Sequence, residues 1–84
     1  MVKRLETREV LAAAYRHGRG VMHTHTVAIA DDGEETALCP RVKVDNLTWT
    51  SATVASALPT CPYCLAKVRK IPDAVRVSLF QSIG

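Results

Sequence analysis

His25-Thr26-Val27-Ala28-Ile29-Ala30-Asp31-Asp32-Gly33-Glu34-Glu35-Thr36-Ala37-Leu38-Cys39 is the stretch on which the fold turns. Residues 21–30 read as a strand, with Val21, His23, His25, Val27 and Ile29 on one face and Met22, Thr24, Thr26, Ala28 and Ala30 on the other. Asp31-Asp32-Gly33 is a turn signal, and residues 34–39 return as a second strand. A three-residue loop ending in a left-handed glycine is a common hairpin connection. With residues 31–33 as that loop, Ala37 faces Val27 and Cys39 faces His25. A two-residue Asp-Gly loop would instead pair Cys39 with Thr26 and put His25 on the opposite face. The loop length decides whether His25 and Cys39 can share a ligand.

Working outward, Thr7 is placed to cap a helix over residues 8–17, with Val10, Leu11 and Ala14 on one face and Tyr15 at its edge. Glu9 lies in its first turn and Arg16 in its last, as the helix dipole favours, and Gly18 suits the position just past the end. After the hairpin, residues 41–53 admit an additional strand, since Val42 and Val44 alternate with charges and residues 47–54 are rich in Thr and Val. Residues 51–58 equally admit a short helix, which Pro59 would end. Pro62 opens a helix to about Lys70 with Leu65 and Val68 inward. Ile71-Pro72-Asp73 breaks it, and Val75, Val77 and Leu79 alternate with Arg76 and Ser78 as a final strand.

The 84 residues fit one small domain, residues 1–84. Aromatic side chains are few, Tyr15, Trp49, Tyr63 and Phe80, so the core is thin and a staple is expected. Eleven Lys and Arg against eight Asp and Glu give a formal charge of +3, which permits nucleic-acid binding without requiring it. Three cysteines cannot all pair within one chain. The first twenty residues lack the apolar run of a secretory signal, and no stretch is long and apolar enough for a membrane span. A reducing, cytoplasmic setting follows as the expectation, with cysteines serving as metal ligands or reactive thiols.

Cys61-Pro62-Tyr63-Cys64 is a knuckle whose two thiolates can reach one ion from a tight turn entering a helix. The hairpin can supply His25 and Cys39 as the other two ligands, giving a Cys3His zinc site that uses every cysteine. Two plainer readings stand beside it. Cys39 can be a buried core thiol, and His25 a strand residue with His23 or His17 as the fourth ligand. His23 shares the strand face of His25, so periodicity alone does not separate them. Four protein ligands leave no open position for water, which makes such a site structural.

The same tetrapeptide resembles the glutaredoxin active site, with Cys61 as a low-pKa nucleophile at a helix N-terminus. That family carries its motif near the start of the domain, whereas only 20 residues follow Cys64 here. The redox reading also leaves His25 and Cys39 without a role.

His25, the Asp31-Asp32-Gly33 turn, Thr36-Ala37-Leu38-Cys39 and Thr60-Cys61-Pro62-Tyr63-Cys64-Leu65 together resemble small zinc-ribbon-like proteins of actinobacteria and their bacteriophages. Pro40 departs from the glycine that often follows the hairpin cysteine in that pattern, and the hairpin arms are longer. The resemblance implies a metal-binding protein and favours His25 over His23, but it names no substrate. The expected fold is therefore α+β: an N-terminal helix, an antiparallel hairpin or small sheet and a second helix around one Cys3His zinc ion. The expected function is a structural-zinc binding module with a protein partner and no enzymatic activity. The alternative partner is nucleic acid, met by Arg16, Arg19, Lys67, Arg69, Lys70 and Arg76. Metal-assisted hydrolysis would need a general base, and Glu34 and Glu35 are better read as solvated hairpin residues.

Overall fold

A computed structural model describes residues 2–11 and 23–81. Four strands form an antiparallel sheet in the order β3-β2-β1-β4: β1 is Val2–Val10, β2 His25–Ala30, β3 Glu35–Ala37 and β4 Leu47–Thr48. A 3₁₀ turn, Val44–Asn46, leads into β4. Three helices follow: α1 Ala52–Ala55, α2 Pro62–Arg69 and α3 Asp73–Gln81.

The hairpin has the three-residue loop. Val27 pairs with Ala37, Ala28 with Thr36 and Ile29 with Glu35. Ala30 N–H donates to the Glu34 carbonyl at 2.8 Å, and Gly33 N–H closes the turn on the Ala30 carbonyl. Gly33 has φ +88°, which side chains rarely adopt. A Cβ at this position would meet nothing within 4 Å, so only the backbone conformation opposes substitution. Gly33→Ala is expected to cost about 1–2 kcal/mol, and Gly33→Asn less. Urea unfolding checks the order of the two.

Two expectations are corrected. The predicted N-terminal helix is not present where it was to begin, because residues 8–10 belong to β1. That strand alternates Leu5 and Thr7 on one face with Arg4, Glu6 and Arg8 on the other, and pairs with β2 and β4 on its two sides. Paired backbone on both sides outweighs the weak local helix signal of Glu9 to Leu11. Leu11 follows the strand with its N–H on the Asn46 carbonyl. Residues 12–17 of that expectation lie outside the described residues.

The predicted final strand is instead α3. Val75 and Val77 are exposed, while Phe80 is buried and Leu79 and Arg76 are half-buried. The inward positions thus follow i, i+3, i+4, which is helical. Arg76 N–H bonds the Pro72 carbonyl, and its guanidinium reaches Asp73 at 2.7 Å across one turn. Of the two options for residues 51–58, the short helix forms. Ser51 caps α1 by accepting from Val54 N–H at 3.2 Å.

The sheet buries both faces. Leu5 packs with Val68 of α2 and Phe80 of α3, with Ala28, Leu38, Ile71 and Leu79 around them. On the other face Val27, Ile29 and Leu47 pack with Val10, Ala37 and Val42. The buried Thr7 hydroxyl donates to the Ala57 carbonyl, which ties the α1 exit to the central strand. A third cluster, Cys39, Cys61 and Cys64, closes the end of the sheet where β2 starts and β3 ends.

Candidate metal centre

The hairpin register sets up half of this third cluster. Arg8 pairs with His25 on one side, and the β2–β3 ladder on the other brings Cys39 opposite His25 two residues beyond its last pair. In an antiparallel ladder, opposed residues that share hydrogen bonds normally exchange two. Leu38 N–H does donate to the Thr26 carbonyl at 2.9 Å. The reciprocal bond is replaced. Thr26 N–H turns to the Cys64 sulfur at 3.4 Å, and the Leu38 carbonyl accepts from Lys67 Nζ at 2.8 Å. Helix α2 therefore wedges into the opening ladder and delivers its cysteine there.

A threonine clasp fixes the knuckle. Thr24 N–H donates to Thr60 Oγ1 at 2.9 Å, and Thr60 N–H donates to Thr24 Oγ1 at 2.9 Å. Cys61 N–H then bonds the Thr24 carbonyl at 3.1 Å. Pro62 starts α2 without needing an N–H, and Leu65 N–H returns to the Cys61 carbonyl. Cys61 and Cys64 thus face the hairpin from one helical turn.

His25, Cys39, Cys61 and Cys64 come together, with one ligand atom from each and all four atoms within 4.8 Å of one another. These residues lie close enough to hold one metal ion. The three cysteines are almost fully buried, and His25 is half-buried with Nδ1 3.8 Å from the Cys64 sulfur. His23 points elsewhere, its Nδ1 3.2 Å from the Thr60 hydroxyl. His17 lies outside the described residues.

The electrostatics of the group are compatible with a bound cation. Burial pushes the Cys64 thiol up to about 12, and the neighbouring Cys61 and Cys39 sulfurs add to the rise, against the pull of Thr26 N–H. Burial also opposes ionisation of Cys61, but the backbone N–H groups of Cys64 and Tyr63, with the Cys39 and Cys64 thiols, outweigh it and hold Cys61 below the ordinary thiol value. Burial, then the charge of His23, lowers His25, which favours the neutral, ligand-ready imidazole. Cys61 and Cys64 oppose each other's ionisation, and a bound dication would relieve that conflict.

Sequence reasoning missed the Thr24–Thr60 clasp and the Thr26 N–H. Thr60 directly before the knuckle is the one local signal of the clasp, and its partner is visible only once β2 is placed. It also missed the stack of the Arg41 guanidinium over the Tyr63 ring, 5.2 Å from the centroid. Comparison with protein-family models, with curated proteins and with solved structures finds no match.

Proposed function

We propose that this chain is a small binding module folded around one structural zinc ion held by His25, Cys39, Cys61 and Cys64. The observation that carries the reading is the convergence of these four donors within 4.8 Å from three separate segments. Three thiolates and one imidazole suit zinc better than calcium or magnesium, which take oxygen ligands. Four protein ligands leave no position for a reacting water, so the ion organises the fold and the exposed surface meets the partner. The resemblance to zinc-ribbon-like proteins points the same way. A reducing compartment suits it, and among the described residues no helix is long and apolar enough to cross a membrane.

The lowered Cys61 pKa favours a second reading, a thiol oxidoreductase at Cys61-Pro62-Tyr63-Cys64. Against it, Cys61 is 3% exposed and Cys64 0%. An attacking thiolate has to reach its disulfide.

Native mass spectrometry tests the main reading. One zinc per chain is expected, retained in His23→Ala and lost or sharply weakened in His25→Ala. A folded chain without zinc, with thiols that turn over a disulfide substrate, would replace the structural reading with the redox one.

A further inference from the structure

The exposed face of α2 presents a row of cations around an aromatic ring. Tyr63, Lys67 and Lys70 follow at i, i+4 and i+7, on the exposed side next to the buried row of Cys64 and Val68. Arg41 lies over the Tyr63 ring, and Lys43 and Arg69 are exposed nearby in sequence. Residues 62–71 and 36–44 contain no Asp or Glu. Of the eight acidic side chains, Glu6 and Glu35 pair with Arg8, Asp73 pairs with Arg76, Asp31, Asp32 and Glu34 sit at the hairpin turn, Glu9 lies on β1, and Asp45 follows Lys43 by two residues in the 3₁₀ turn. Among the described residues, no ion pair involves Arg41, Lys43, Lys67, Arg69 or Lys70.

We infer that this face binds the phosphate backbone of single-stranded nucleic acid, with Tyr63 as a stacking platform for a base. Tyr63 to Lys70 spans about 10 Å along the helix, and Arg41, Lys67 and Lys70 offer three cations to a strand that runs along it. Arg41 and Tyr63 offer a guanidinium and a half-exposed ring side by side, a pairing that holds unstacked bases without reading their sequence. Lys67 spends one donor on the Leu38 carbonyl, which fixes its stem beside the centre and leaves two for a phosphate. The inference rests on the metal-centre reading only for the fold that displays this face.

One plainer role for these cations is to offset the net negative charge of a zinc ion with three thiolates. The two roles separate by experiment. Binding of a fluorescent oligodeoxythymidine to the zinc-loaded chain is measured by anisotropy across salt concentrations, with zinc content read on each sample. Three phosphate contacts predict a log–log slope near about −2, so affinity should fall about 16-fold between 50 and 200 mM salt. Arg41→Gln/Lys70→Gln should reduce that loss to less than about threefold. Tyr63→Ala should weaken binding about tenfold, and Arg76→Gln, away on α3, should change nothing. All these variants should keep one zinc.

No binding at low salt by a chain that holds its zinc would overturn this inference and leave the metal reading standing. A variant that loses zinc along with binding would assign its cations to the metal centre instead. Equal or tighter binding of polyglutamate would overturn it in favour of an acidic protein partner, and tighter binding of duplex would overturn the single-strand assignment.

Discussion

A chelator strong enough to strip zinc is expected to unfold this chain cooperatively, and zinc added back is expected to refold it. The reason lies in what the centre joins. It ties the start of β2, the end of β3 and the first turn of α2, three segments far apart in sequence. The rest of the core is slight: Leu5, Val68 and Phe80 on one face of the sheet, and Val27, Ile29 and Leu47 on the other. Apparent zinc-binding energies of about 10–16 kcal/mol equal or exceed the whole stability of a typical domain, about 5–15 kcal/mol. Without the ion, buried sulfurs are left with weak partners such as Thr26 N–H, and the ladder stays opened for a cysteine that no longer binds anything. Cys64→Ser should have the same effect, because a hydroxyl does not replace a thiolate ligand. Far-UV circular dichroism during chelation reads the outcome, and an unchanged melting curve at zero zinc would refute it. The metal-bound fold carries fewer protons than the unfolded chain, whose cysteines are thiols at neutral pH. Stability therefore rises with pH and is lost on acidification. Burial holds the folded His25 imidazole neutral, so protonation of that imidazole in the unfolded chain adds to the acid-side loss.

How far this centre could be read from sequence depended on the range of the interaction involved. The hairpin was legible because its determinants are local: Gly33 in a left-handed conformation and alternating Val27 and Ile29. That loop length placed Cys39 opposite His25, and the CxxC knuckle before a helix is also a local pattern. The pairing of β1 is not local. Its neighbours β2 and β4 lie about 20 and 40 residues away in sequence, and no short window reveals that Glu6 and Arg8 belong to a central strand. The C-terminal segment misled for a different reason. Val75, Val77 and Leu79 alternate, but over so few residues an alternating run and one face of a helix are hard to tell apart. Phe80, the largest apolar side chain there, fixes the helical face because it is the one that packs on Leu5 and Val68. The threonine clasp and the diverted Thr26 N–H depend on placing α2 against the hairpin, which is tertiary information throughout.

The charged face of β1 gives a second large effect that owes nothing to the metal ligands. Arg8→Met is expected to destabilise the zinc-loaded chain by about 3 kcal/mol. Glu6 is 3% exposed, and the Arg8 guanidinium meets it at 2.7 Å. Arg8 also grips Glu35 with two bonds, 3.0 and 2.6 Å long. The Glu35 bond, opposed by some burial and helped by Glu6, holds Arg8 firmly protonated, and Arg8 in turn holds the Glu35 carboxyl below its usual range. Among the described residues, removing the guanidinium leaves a buried carboxylate with only Arg4, at 3.8 Å. That partial partner keeps the cost at the low end of about 3–5 kcal/mol for breaking a buried pair. Glu35→Gln should cost about 1 kcal/mol or less, because its side chain is exposed to solvent. Glu6→Met/Arg8→Met should recover most of the loss, since an apolar pair of similar volume replaces both charges at once. The sign with pH follows from Glu35. Its depressed pKa contributes stability that is present above the unfolded carboxylate value and is lost as pH falls through the folded one, so Arg8→Met should flatten that acid-side decline. Urea unfolding at saturating zinc measures all three variants against the parent chain. If Arg8→Met shifts the midpoint no more than Glu35→Gln does, Glu6 does not depend on Arg8 and the buried pair is not what holds β1 in place.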